Sequence, residues 1–285
     1  MTIETLLKGW ENKLQKEMDL KPAIDAMGVD ALLDGLLANV GNLNSLVREN
    51  VMVAFAHLVW VERIPSNEQY LRTLNISLSD DFLFKNIDEG ESDASFCRAF
   101  VSLFVRWIIN ADTKFDLLTN DQYLEALDRA VDYMGQENDR RGFVYGKGTV
   151  HTVNHGNGMM VAFIENPKFP LDYTNKMLDC VKRFVVSYER FAGYDWSENF
   201  LARIVASLLA KGVGEDAVKS WVEGLMPEVT ANTYTDEHYY FVRIGTNIHH
   251  FLMCLYFLLK ERGLNEGLRD WISQYTSELM KKVYS

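Results

Sequence analysis

The residues best suited to chemistry lie close together at positions 133–158, which read YMGQENDRRGFVYGKGTVHTVNHGNG. Arg140, Arg141 and Lys147 form the densest cluster of cations in a chain whose formal net charge is −11. The cluster precedes a predicted helix, and the first N–H groups of a helix have no intrahelical acceptor and attract anions. The candidate ligand-binding residues are Asp139, Arg141, Lys147, His151 and His155. The candidate supporting residues are Glu137, Gly142 and Gly148.

Two histidines in this segment are four residues apart. His151 and His155 therefore share one face of the helix that we predict from Gly148 onward. Gly158 and Ala162 lie on the same strip of that helix, so small residues flank the imidazoles. This arrangement is typical of a pocket floor or of a close helix crossing. A zinc site would need a third ligand and the segment has no HExxH glutamate, so we predict no metal.

Three interpretations of the segment stay open at this point. In the first, the cations bind a small anion. In the second, the protein is an enzyme in which Arg141 and Lys147 hold an anionic group and a histidine is the general base. In the third, Glu137 and Asp139 pair with the arginines and fix the loop, because an uncompensated charge is costly to bury.

The elements that position these residues are helices. Apolar residues recur with helical spacing over 93–110 and 44–62, and again over 241–259, where Gly263 is expected to end the helix. Further helices are predicted near 2–17, 28–39, 120–135, 148–165, 170–187, 196–211, 214–226 and the C-terminus. We predict a longer acidic loop at 76–92. No segment shows the alternation of a strand, so we predict no strands.

The connections between these helices are short, which is typical of antiparallel neighbours. Five prolines in 285 residues also fit a helical chain. We predict one all-α domain over residues 1–285, built as an irregular stack of antiparallel helix pairs, an α-solenoid of the HEAT-like kind. A closed α/α barrel is the alternative.

Charge, apolar runs and cysteine content indicate which partners and which compartment to expect. An acidic surface repels phosphate backbones, so we expect no nucleic-acid partner. The longest apolar run, 251–259, is shorter than the ~18–20 residues that cross a bilayer, so we expect no membrane span. Cys97, Cys180 and Cys254 lie in apolar helical contexts without a CxxC pair, which favours reduced thiols in the cytoplasm. The N-terminal segment has no long apolar stretch, so we expect no signal peptide.

A motif in the same segment is similar to a known family. Its pattern is a tyrosine, a glutamate, an aspartate, then Arg-Gly-Phe, Lys-Gly and His-x3-His-Gly. The matching residues are Tyr133, Glu137, Asp139, Arg141, Gly142, Phe143, Lys147, Gly148, His151, His155 and Gly156. The chain thus resembles the bacterial domain-of-unknown-function family numbered 2785, and the stretches around Arg48 and Arg98 look similar as well. The resemblance implies a helical fold and a shared site, and it supplies no reaction.

The chain departs from that family's pattern at two positions. Thr149 stands where the family usually has a tryptophan, and Gly158 stands where it usually has an aspartate. If that aspartate is a ligand in relatives, this chain lacks it.

Our first functional hypothesis is a helical-repeat-like scaffold that binds a protein or peptide, because stacked helical pairs create a concave surface. The alternative is an enzyme or a protein that binds a small anion through the pocket at 137–158. The sequence indicates no cofactor and no oligomeric state.

Overall fold

The computed structural model describes residues 19–187, 197–226 and 236–284. Within these ranges the chain is mostly helical, as predicted, with twelve α-helices and one small two-stranded sheet. The described residues form two compact units, divided between Lys168 and Phe169. The prediction of one domain stays a prediction, and the predicted helix at 2–17 lies outside the described residues.

The first unit contains seven α-helices. They are α1 (Lys21–Met27), α2 (Val29–Asn39), α3 (Ser45–Ala56), α4 (Asn67–Ser77), α5 (Ala94–Phe115), α6 (Asn120–Gln136) and α7 (Thr152–Glu165). A π-helical turn, His57–Val61, extends α3, and a 3-10 turn, Ile87–Glu89, lies in the predicted acidic loop.

Helix α5 is the centre of this unit. Its apolar stripe is buried, and the Phe104 ring stacks on Phe55 of α3. Helix α7 packs along α5 at close range, because Gly158 leaves space for Arg106: a Cβ at Gly158 would lie 3.2 Å from the Arg106 Nη1 atom. Of the two arrangements that the sequence allowed around the small residues of α7, the structure therefore has the close helix crossing.

Between α6 and α7 the chain forms a β-hairpin, so the prediction of no strands was wrong there. Strands β1 (Phe143–Val144) and β2 (Gly148–Thr149) pair antiparallel. Gly146 and Gly148 have φ angles of 77° and 83°, a conformation that costs glycine little. Each strand has only two residues, too few for a visible alternation. The same hairpin delays the start of α7 from the predicted residue 148 to Thr152.

The second unit contains five α-helices. They are α8 (Thr174–Val185), α9 (Ser197–Ala210), α10 (Glu215–Glu223), α11 (Asp236–Glu261) and α12 (Glu266–Tyr284). Helix α11 packs against α12 along much of its length and also against α9. Buried apolar residues of α11, among them Ile248, Phe251 and Leu255, form the core of this unit.

Helices α5 and α11 are each long and apolar enough to cross a membrane, judged by length and composition alone. For α5, 72% of the apolar window is buried inside the fold, as in the core helix of a soluble protein. For α11 the buried share is 44%. This is weak evidence for a membrane, and the expected absence of a span stays a prediction.

Candidate functional site

The first half of the 133–158 segment is fixed by a buried ion pair. Glu137 receives two hydrogen bonds from Arg98 of α5, from Nε at 2.7 Å and from Nη2 at 3.0 Å, and both side chains are fully buried. The Tyr133 hydroxyl and the backbone N–H of Asp139 also donate to the Glu137 carboxylate. Burial lowers the pKa of Arg98, but the hydrogen bond and charge of Glu137 outweigh it, so the pKa is raised. Arg98 is therefore held as a cation in the core.

Arg98 also joins the acidic loop to this pair. Its Nη1 donates to the carbonyl of Lys85 at 2.9 Å, and its Nη2 donates to the Ser95 hydroxyl at 2.9 Å. One side chain thus joins the 76–92 loop, the start of α5 and the end of α6.

The next two charged pairs lie closer to solvent. Asp139 accepts hydrogen bonds from the backbone N–H, Nε and Nη2 of Arg141, and the hydrogen bond and charge of Asp139 raise the pKa of Arg141. Arg141 Nη2 also donates to the carbonyl of Ser92 at 2.9 Å. Lys147 Nζ lies 2.7 Å from both carboxylate oxygens of Asp93. Both cations therefore bind residues at the start of α5.

The hairpin is held from its other side by Arg48 of α3. This fully buried guanidinium donates to the carbonyls of Lys147 at 2.7 Å, Thr149 at 3.0 Å and Asn42 at 2.6 Å. It also lies over two rings of α5, 4.4 Å from the centroid of Phe96 and 4.7 Å from that of Phe100. Burial lowers its pKa. Carbonyl dipoles and ring faces therefore stabilise this charge, and no carboxylate among the described residues lies within ion-pair distance of it.

Gly148 allows this close approach of the hairpin to α3. A Cβ at this position would lie 2.7 Å from the Cβ of Ser45 and 3.3 Å from Arg48 Nη2. Gly142 closes the hairpin, because its carbonyl accepts from the N–H of Val150 at 3.0 Å. Both glycines that the sequence predicted as supporting residues thus lie at backbone contacts of the hairpin.

The two histidines lie where α7 begins. His151 caps the helix in the left-handed conformation, with φ 47°. Its ring is 5.8 Å from that of His155, which meets the edge of Phe100 at 5.2 Å. Burial, with His151 adding to it, lowers the pKa of His155 to about 3, although a backbone hydrogen bond with Ala99 opposes the change. His155 is therefore neutral near pH 7 and a weak base.

The structure thus brings Asp139 and Arg141 together, pairs Lys147 with Asp93, and places the rings of His151 and His155 edge to face. Glu137 pairs with Arg98 of α5, where the sequence interpretation had paired it with the arginines of its own loop. Sequence reasoning missed the binding roles of Arg48, Arg98 and Asp93. The signal for Arg98 was an arginine within the mostly apolar buried face of α5.

A cleft of about 830 Å³ lies beside this network in the first unit. Its lining includes apolar Leu37, Val40 and Cys97. Four carboxylates also line it, and Lys85 is the one lysine or arginine in the lining. The four carboxylates are those of Asp80, Asp81, Glu89 and Asp93.

Two of these carboxylates already have a cation. Asp93 binds Lys147, and Asp80 accepts from Arg129 at 2.7 Å. Asp81 and Glu89 are exposed, and no cation among the described residues lies within ion-pair distance of either. The cleft therefore presents negative charge above an apolar floor.

The described residues contain no cluster of side chains that could bind a metal ion. Within the described part of the chain, no three His, Cys, Asp or Glu side chains are placed to share a metal ion. All three cysteines are free thiols, and burial raises the pKa of Cys97 to about 11 and that of Cys180 to about 12.

Comparison with known proteins gives one match. The model of the family described as "Protein of unknown function (DUF2785)" matches residues 83–257, more than half of the chain, including α5, the hairpin and α7. No curated protein and no solved structure matches the chain.

Proposed function

Since the chain belongs to the DUF2785 family, whose description assigns no activity, we propose its function from the geometry of the first unit. The protein is a helical scaffold whose acidic cleft binds a basic, partly apolar segment of a partner protein. The observation that carries this proposal is the lining of the cleft, in which four carboxylates face one lysine above an apolar floor.

The charge of the cleft supports a basic peptide segment as the occupant, and its volume is that of a ligand-binding cleft. Carboxylates at a cleft rim attract lysine and arginine, and an overall charge of −11 steers a basic partner toward the protein. A cleft of about 830 Å³ is as large as those that hold small ligands. The apolar floor offers contact to an aliphatic side chain between the basic ones.

The alternative function has less support. An enzyme or anion-binding protein would need its cations turned toward a ligand, but Arg141 is bound to Asp139 and Lys147 to Asp93. A general base works best with a pKa near the working pH, whereas the pKa of His155 is about 3. Asp139, Arg141, Lys147 and His155 are therefore better explained as residues that hold the hairpin beside the cleft.

We also propose the finer architecture and the location that the sequence favoured. In this proposal the antiparallel helix pairs are stacked in the HEAT-like manner, and the α/α barrel is its alternative. The free, poorly ionised thiols support a reducing bacterial cytoplasm. The acidic charge supports a partner that is neither nucleic acid nor an anionic membrane surface.

The test uses a short fluorescent peptide that alternates lysine and leucine, with a glutamate–leucine peptide as its charge-reversed partner. We expect the basic peptide to bind with a fluorescence anisotropy change that weakens as salt is added, and the acidic peptide not to bind. The double variant Asp81→Asn/Glu89→Gln removes the two cleft carboxylates that have no cation within ion-pair distance among the described residues. It should weaken binding by about tenfold, which corresponds to two rim charges worth about 0.7 kcal/mol each.

The matched control is Asp121→Asn/Asp132→Asn, which neutralises two exposed carboxylates of α6 outside the cleft. It changes the net charge by the same amount and should leave binding unchanged. Equal weakening in both double variants would mean that only overall charge matters, and the cleft proposal would then be wrong.

A further inference from the structure

The second unit has a cavity of its own, about 480 Å³ in volume, lined by residues from α10 to α12. Three aromatic side chains line it, namely Phe241, Trp271 and Tyr275. The Trp271 and Tyr275 rings are stacked, with centroids 4.8 Å apart and planes at 19°. All three rings are partly exposed. The cavity is therefore walled by aromatic surface that a ligand could reach.

Helix α12 supplies most of this wall because of its sequence spacing. Trp271, Tyr275, Glu278 and Lys282 are separated by four, three and four residues, so they lie along one face of the helix. The facing residues come from the end of α10 and from α11.

Two carboxylates complete the lining. Glu223 lies at the end of α10 and Glu278 on α12, and both are exposed side chains that line the cavity. Burial raises the pKa of Tyr275, and the charge of Glu223 raises it further, which indicates that the carboxylate lies near the ring. Lys282 is the one cation of the lining. Aromatic side chains and carboxylates thus line the same space.

This combination is complementary to one class of ligand. The faces of tryptophan and tyrosine rings attract a cation, and quaternary ammonium groups are recognised by cages of such rings. A trimethylammonium group cannot donate hydrogen bonds from its nitrogen, so it needs ring faces and diffuse negative charge rather than fixed acceptors. Glu223 and Glu278 supply that charge without requiring a hydrogen bond.

We propose that the second unit binds a small quaternary ammonium compound in this cavity. Phe241, Trp271 and Tyr275 contact the methyl groups, and Glu223 and Glu278 balance the charge. This site is separate from the acidic cleft and does not depend on the function proposed for it.

The experiment measures binding of choline by calorimetry and compares it with the neutral isostere in which carbon replaces the nitrogen. Saturable binding of choline is expected, with the isostere at least about tenfold weaker, because only the cation gains from the ring faces. Absence of saturable choline binding, or equal affinity for the isostere, would overturn the proposal. Glycine betaine is the second probe, and tighter binding of betaine than of choline also supports the site, with Lys282 pairing with its carboxylate.

Three variants test whether choline binds in this cavity. Glu223→Gln/Glu278→Gln should weaken choline binding about tenfold, while Glu266→Gln/Asp270→Asn, two exposed carboxylates of α12 outside the cavity, should leave it unchanged. Trp271→Leu should abolish binding, and its folding is checked by circular dichroism. Since the carboxylates are exposed, the first double variant keeps the proposal testable even if Trp271→Leu does not fold. Unchanged affinity in Glu223→Gln/Glu278→Gln would refute the assigned site.

Discussion

Replacing Glu137 with alanine tests the structural role of the 133–158 motif, because the substitution should lower the free energy of unfolding. The substitution leaves the guanidinium of Arg98 in the core without its carboxylate, and it removes the acceptor of both the Tyr133 hydroxyl and the Asp139 N–H. Because Arg98 is fully buried, water cannot replace the lost partner without opening the fold.

The magnitude follows from those contacts. Removing one partner of a buried ion pair typically costs about 3–5 kcal/mol. The carbonyls of Lys85 and Asn86 still accept from Arg98 and reduce the loss, whereas the two orphaned donors increase it by about 1 kcal/mol each. We therefore expect Glu137→Ala to lower the free energy of unfolding by about 4 kcal/mol, and Glu137→Gln by less, because the amide keeps one acceptor oxygen.

Urea unfolding followed by circular dichroism measures this loss. Glu125→Ala is the matched control, because Glu125 is an exposed residue of α6, the helix that Glu137 follows, and it should change stability by less than about 0.5 kcal/mol. A loss below about 1 kcal/mol for Glu137→Ala would refute the reasoning, since it would mean that the buried pair contributes no more than a surface pair.

Three further predictions concern His155, Gly41 and two of the cysteines. His155 titrates near 6.5 when unfolded and at about 3 when folded, so the unfolded state binds the extra proton and stability falls as pH drops through this window. This imidazole should add a fall of up to about 1.4 kcal/mol per pH unit to acid unfolding curves, and His155→Asn should lack that contribution. Gly41→Ala should cost about 1–3 kcal/mol in the same urea assay, because its Cβ would lie 2.9 Å from the Cα of Cys97. Native Cys97 and Cys180 should react with a thiol reagent far more slowly than in urea, because burial raises the pKa of both thiols.

Each of these predictions has an outcome that contradicts it. Identical acid unfolding of wild type and His155→Asn would mean that the imidazole is protonated in the folded state. A Gly41→Ala variant as stable as wild type would show that α5 can shift away from this turn. Rapid native labelling of either thiol would place it at the surface.

The sequence predicted helices well because their signal is local. The apolar stripe predicted over 93–110 lies within α5, so the buried face of this helix and most of its extent follow from spacing alone. The hairpin at 143–149 was missed for the same reason, since two-residue strands have no period. Gly148 was predicted as a supporting residue, but nothing in the sequence shows that it packs on Ser45, about a hundred positions away.

The ion pairs of the charged residues also could not all be predicted from the sequence. Their cluster was visible in the sequence, but their partners were not, because Glu137 binds Arg98 and Lys147 binds Asp93 across 39 and 54 positions. The simplest assumption is that charges close together in the sequence pair with each other. The Asp139–Arg141 ion pair agrees with this assumption. Long-range pairs depend on how α5 and α6 pack, which periodicity does not specify.

The contacts of Arg48 have a consequence for the order in which the chain folds. Its bonds to the carbonyls of Lys147 and Thr149 close loops of 99 and 101 residues. Such closure is entropically costly until the intervening helices have assembled, so we expect the hairpin to dock late, after the folding transition state. Substituting Arg48 should therefore speed unfolding while leaving the folding rate nearly unchanged. The hairpin would then act as a latch on the native state, setting how long the molecule stays folded rather than how fast it folds.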